Sequence, residues 1–241
     1  MPTHPGARYV VRGHPSLRCM LIWAKRNAAE RLLIVFSRYR PAVGYCQGLN
    51  FVAAALTHLL DEASAFIVFC GLLERLPAHL YSSNPELLAK SRTTQQELIN
   101  DVLAAERLDL AAHFHDLQLD LNLFLPRWLT CLFATVIPFR AMLRLWDYVL
   151  GDGGGDALPR LALALLCRAE AALLRAVDAQ EALDALAAIT STTTPSHVDT
   201  MLCTEWRPDR LLKHEQRQCD CTHDLTEDAS TCASPSVEVD V

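Results

Sequence analysis

The 241-residue sequence lacks the short signatures of self-contained catalysis: it has no Gly-x-Ser-x-Gly elbow, no His-Glu-x-x-His pair and no kinase motif set. Independent hydrolase chemistry has no machinery here. It also lacks alternating apolar and polar runs joined by an Asn-Gly turn, so no hairpin is expected. A strong charge of one sign is missing from the part that must fold. The net charge is -6, but residues 213–241 hold two basic and seven acidic side chains, leaving 20 basic and 21 acidic over residues 1–212. A near-neutral surface does not neutralise a run of phosphates, which argues against nucleic-acid binding. The opening residues, with Arg8, Arg12 and Arg18, hold no apolar core segment, so no secretory leader is expected. One charge-free stretch, residues 41–60, has the length of a bilayer span. Pro41, Gly44, Gln47, Gly48, Asn50 and His58 break or polarise it, and it reads as a turn followed by a buried helix, with no transmembrane segment expected.

What is present is apolar residues at helical spacing. Hydrophobic residues make up 51% of the chain and charged residues 21%, so most of it must bury itself. In residues 28–39, Leu32, Leu33, Val35, Phe36 and Tyr39 form one stripe opposed by Arg31 and Arg38, and Pro41 ends the helix. Further helices are predicted over 46–60, 63–76, 93–106, 108–117, 123–136, 139–150, 157–177 and 179–189. The Thr190–Pro195 run closes the helical tract. The expected fold is all-α. Residues 1–27 read as a divergent N-terminal segment, 28–212 as the helical domain and 213–241 as a disordered acidic tail.

Nine cysteines, six of them scattered singly (Cys19, Cys46, Cys70, Cys131, Cys167, Cys203), suit reduced thiols in a cytoplasmic protein. The tail's Cys219, Cys221, His223 and Cys232 have the chemistry of zinc ligands but neither the usual spacing nor a core around them, and no metal is assigned. His113 and His115 are two apart, on different faces of a helix. The glycines of Asp152–Asp156 have no Lys-Ser or Lys-Thr after them, so they form a linker and not a phosphate loop, with Asp156 expected to cap the next helix.

The most specific run is Val43-Gly44-Tyr45-Cys46-Gln47-Gly48-Leu49-Asn50. Two glycines bracket a short polar tip at a helix start, so the backbone can approach a ligand while Gln47 and Asn50 offer donors and acceptors. Alternatively, Gln47 and Asn50 cap the helix that follows, and the residues taken alone favour that reading. This run resembles the Tyr-x-Gln finger of the TBC domain, an all-helical, two-lobed domain that activates Rab GTPases. A second run is similar to that family's second-lobe signature: Trp128-Leu-Thr-Cys-Leu132-Phe133, then Pro138, then Arg144-Leu145-Trp146-Asp147. Glu62-Ala-Ser-Ala-Phe66 and Tyr81 fall between them in the family's order, so the likeness runs from Glu30 to Arg175.

The resemblance implies a GTPase-activating protein for a Rab-family small GTPase, an enzyme regulator without turnover of its own. Gln47 would orient the attacking water, with Tyr45, Gly48 and Asn50 shaping the contact to the partner. The family also supplies an Arg, within an Ile-x-x-Asp-x-x-Arg motif upstream of the Gln. Residues 1–46 contain no such motif; Arg12 is the candidate, but Tyr9 stands where the Asp should be. The first lobe is therefore expected to be incomplete. A second reading is a Rab-binding or scaffold module without catalysis. The resemblance implies no cofactor of the chain's own, because Mg and GTP belong to the GTPase. It further implies a role in vesicle trafficking and intracellular protein transport, with peripheral recruitment to endomembranes through the Rab.

Overall fold

A computed structural model describes residues 23–77, 80–151 and 154–203, and every regular element among them is helical. Helix α1 (Trp23–Tyr39) buries Ala28, Ala29, Leu32, Leu33 and Phe36. The stripe is narrower than its spacing predicts, for Val35 and Tyr39 are more than half exposed. Arg31 nevertheless points outward, to an ion pair with Glu62. Pro41, which has no N–H to continue the ladder, follows the last helical bond, Arg40 N–H to Phe36 O at 2.8 Å.

Helix α2 (Leu49–Leu59) begins three residues later than the pattern suggests, because Gly48 has φ 112 and no right-handed helix passes through it. From Leu49 to Thr57 nearly every side chain is buried, as the uncharged composition of 41–60 requires of a helix in water. No helix among the described residues is long and apolar enough to cross a membrane. Helix α3 (Glu62–Glu74) is capped by Asp61, whose carboxylate accepts the N–H groups of Ala63 and Ser64 at 3.1 Å. These three helices pack on one another, with Phe36 and Phe69 edge to face at 5.0 Å.

Helix α4 (Pro85–Glu106) starts eight residues before the predicted 93, on an Asn84 cap with Pro85 at its first position. After α5 (Leu108–Asp116) and a 3-10 turn at Leu121–Leu123 comes the main departure from the expected pattern. The predicted 123–136 helix stops at Thr130, as the short α6 (Leu125–Thr130), and residues 131–136 coil inward as turns. Leu132 (φ 46) and Phe133 (φ 60) are left-handed and wholly buried.

The remaining helices are α7 (Phe139–Leu150), α8 (Ala157–Leu173), α9 (Ala179–Ser191) and α10 (Pro195–Cys203). They form a second group, α7 on α8 and α10, α8 on α9, joined to the first through α3 on α7 and α4 on α8. α10 extends the helical tract past its expected close. Its start is a reciprocal cap, Thr194 Oγ1 accepting His197 N–H while His197 Nδ1 accepts Thr194 N–H, both at 3.2 Å. Asp156 makes no side-chain cap, contrary to expectation, because it is already in helical conformation. His113 meets Ala176 O at 3.1 Å while His115 is almost fully exposed, so the two do diverge. Cys46 and Cys131 are buried, and neither is in a disulfide. Arg12 and the tail cysteines lie outside the described residues.

Candidate functional site

The turn between α1 and α2 is built from both ends. At its start the N–H groups of Val43 and Gly44 bond Arg40 O at 3.1 and 2.9 Å, and Gly44 takes a left-handed φ of 59. Cys46 then drops into the interior, its thiol 3.4 Å from Ser82 O. Gly48 sits against α6: a Cβ on it would lie 2.5 Å from the backbone oxygen of Thr130, far inside van der Waals contact. Its N–H donates to Asn50 Oδ1 at 3.2 Å, and Asn50 is itself buried. Asn50, inside α2, thus ties back to the residue before the helix, while α2 has no side-chain cap hydrogen bond from either Asn50 or Gln47.

Gln47 is exposed between two buried neighbours, Cys46 and Gly48, and no group among the described residues bonds its amide. The turn thereby holds out a side chain whose amide donor and acceptor are unbonded among the described residues. Tyr45 stands beside it, 37% exposed, with burial of the rest of the ring pushing its phenol above the usual range. The structure thus brings Tyr45, Gln47 and Gly48 together in one turn, with Asn50 behind them at the start of α2.

The turn's floor comes from the second run of the sequence. Trp128 packs on Phe124 at 4.9 Å and on Phe133 at 5.8 Å, and Trp146 Nε1–H donates to Leu132 O at 3.0 Å. That knot fixes the C-terminus of α6 under Gly48. Tyr81, buried between them, donates its hydroxyl to Thr130 O at 2.8 Å. Thr130 was not singled out from sequence, because its contribution is a backbone oxygen and any residue type has one.

Among the described residues no group of three or more His, Cys, Asp or Glu side chains is placed to hold a metal. The site is of a different class: an all-helical domain that presents an exposed amide, unbonded among the described residues, from a turn seated on α6. Residues 24–174 match the Rab-GTPase-TBC domain, and the chain belongs to that family. It is 38% identical over 154 residues to TBC1 domain family member 2A of Rattus norvegicus, covering 63% of this chain and 16% of the relative. It is 29% identical over 160 residues to the human Growth hormone-regulated TBC protein 1, covering 66% of this chain and 46% of that one. Its backbone resembles the crystal structure of the Chlamydomonas flagellar RabGAP TBC domain, with TM-score 0.66, 25% identity, and coverage of 82% of this chain and 65% of that one. The Ypt/Rab-GAP domain of Gyp1p shares the fold, with TM-score 0.67 at 18% identity. The chain spans less than half the length of the two curated relatives.

Proposed function

We propose that this chain engages a GTP-loaded Rab-family GTPase and inserts Gln47 beside the attacking water. The observation that carries the reading is the exposed, unbonded Gln47 amide fixed between buried Cys46 and Gly48. Hydrolysis in such GTPases is limited by orienting the water and by charge growing on the transferred phosphoryl group. An amide answers the first need, since its oxygen accepts a water proton while its NH2 donates to an oxygen of the phosphate. Because no bond within the turn has to break, little reorganisation precedes the contact. Mg and GTP would be held by the GTPase. Tyr45, Gly48 and Asn50 would contribute shape and rigidity at the contact. The chain would regulate vesicle trafficking from the cytoplasm, reaching endomembranes through its partner.

The second need calls for an arginine in trans, which contributes about 10³ to 10⁵ in rate. The sequence has no Ile-x-x-Asp-x-x-Arg in residues 1–46, and Arg12 has no Asp three residues before it. A second reading is a Rab-binding module that does not accelerate hydrolysis. Single-turnover phosphate release across a Rab panel separates the two. The expected result is weak stimulation by at least one GTP-loaded Rab, lost in Gln47→Ala with binding retained. Binding without faster release selects the module, and binding to no Rab overturns both.

A further inference from the structure

Tyr81-Ser82-Ser83, in the connection between α3 and α4, is not part of the proposed chemistry, yet it meets the foundations of the Gln47 turn at three points. At the turn's upstream end Ser83 donates twice to Ala42 O, from its N–H at 3.0 Å and its Oγ at 2.9 Å. In the middle, Ser82 O lies 3.4 Å from the Cys46 thiol. At the downstream end the Tyr81 hydroxyl donates at 2.8 Å to Thr130 O, the same oxygen against which Gly48 rests.

We propose that Tyr81-Ser82-Ser83 is a positioning strap for Gln47, with Tyr81 its principal residue. The inference rests on the reading of Gln47 as the water-orienting group. Gln47 makes no bond of its own among the described residues, so its location is inherited from Cys46 and Gly48. The strap holds Cys46 directly. It holds Gly48 through the orientation of a single carbonyl. Thr130 O belongs to the last residue of α6, where a helix leaves its carbonyls without intrahelical donors, and the phenol supplies one from across the fold. Burial raises the Tyr81 pKa well above its usual 10.0, so the phenol stays a donor at every physiological pH. With that bond in place the floor under Gly48 is rigid. Without it the carbonyl can tilt and the turn can slide. A tip displaced by even a fraction of an ångström loses water alignment before it loses partner contact.

The test uses the whole chain with Tyr81→Phe, which removes the hydroxyl and keeps the ring. Amide hydrogen exchange is followed over residues 43–51 and over α8, and stimulated hydrolysis is measured against the concentration of a GTP-loaded Rab. The expected result is exchange faster by about fivefold or more at 43–51, with α8 unchanged, since one local bond is lost and not the core. Where the wild type stimulates hydrolysis, kcat falls and KM for the Rab holds. Unchanged exchange at 43–51, or equal acceleration in α8, overturns the strap. A wild type that stimulates no Rab refutes the Gln47 reading and leaves the exchange result to judge the strap separately. If Tyr81→Phe does not fold, the exposed Ser83→Ala, which loses one of the two bonds to Ala42 O, is judged by the same readout.

Discussion

Gly44 and Gly48, four residues apart, show how differently one residue type can be used. Gly44 is left-handed at φ 59, but a Cβ there would meet nothing nearer than 3.7 Å. Gly48 has φ 112 and a Cβ would drive into Thr130 O at 2.5 Å. The first needs only conformational freedom; the second needs freedom and space. Gly44→Ala should therefore cost about 1 kcal/mol, the left-handed penalty of an ordinary side chain. Gly48→Ala should cost roughly 2–4 kcal/mol, because the backbone it strikes ends a helix and cannot retreat cheaply. Urea unfolding of the two variants checks the order, and equal costs would show that the Thr130 contact yields. Gln47→Ala, at an exposed side chain unbonded among the described residues, should change stability by less than about 0.5 kcal/mol. A larger loss would mean that the side chain serves the fold.

At the scale of elements, most helices were legible in the apolar spacing, and the failures have specific causes. The 46–60 and 123–136 predictions both ran helix through a residue with positive φ, at Gly48 and at Leu132. Gly48 could be suspected from its type. Leu132 could not. The α6 terminus closes as a Schellman end, with Phe133 N–H to Trp128 O at 2.8 Å and Leu132 N–H to Leu129 O at 3.1 Å, and Leu132 occupies the position that usually calls for glycine. Its strain is offset by burying Leu132 and Phe133 completely and by the Trp146 bond to Leu132 O, contacts that exist only in the assembled fold. α10 was missed because its cap pairs Thr194 with His197, not with the Glu or Gln that signals a capping box. The α6 geometry predicts an inverted ranking. Leu132→Ala removes the side chain and keeps the left-handed penalty, costing about 3–5 kcal/mol. Leu132→Gly removes the same side chain but sheds that penalty, and should be the milder by roughly 1 kcal/mol, against the usual helix order. Denaturant midpoints of both variants decide it; alanine proving the milder would mean that the turn relaxes.

For the whole molecule, the sequence marked Tyr45, Gln47, Gly48 and Asn50 as one local run, which the structure divides between a turn and the first residues of α2, but nothing local revealed that Thr130 and Ser82 support it from tens of residues away. Those supports are neutral groups, and their neutrality sets how the folded chain should respond to pH. Burial raises the phenol of Tyr81 and the thiols of Cys131 and Cys167 above their usual values. For a group whose folded pKa exceeds its unfolded one, stability is full below the unfolded pKa and is lost as pH rises toward the folded pKa. Stability should thus fall first above the ordinary thiol value of 9.0 and again above the phenol value of 10.0. The carboxylates with lowered pKa, Asp61 through its bonds to Ser64 and Glu62 through Arg31, are surface groups. Their contribution is present above the unfolded carboxylate pKa and is lost as pH falls through the folded value, and salt screens the Arg31–Glu62 pair. The two limbs should therefore differ in character. Under reducing conditions the alkaline loss should hardly change between low salt and about 0.5 M, where the screening length is near 4 Å, whereas the part of the acid loss due to Arg31–Glu62 should shrink. Tyr81→Phe should shrink the second alkaline step to the smaller share of the partly exposed Tyr45 and leave the acid limb as it was. A wild-type alkaline limb that collapses with salt, or a second step undiminished in Tyr81→Phe, would place the titrating groups at the surface and not beneath the Gln47 turn.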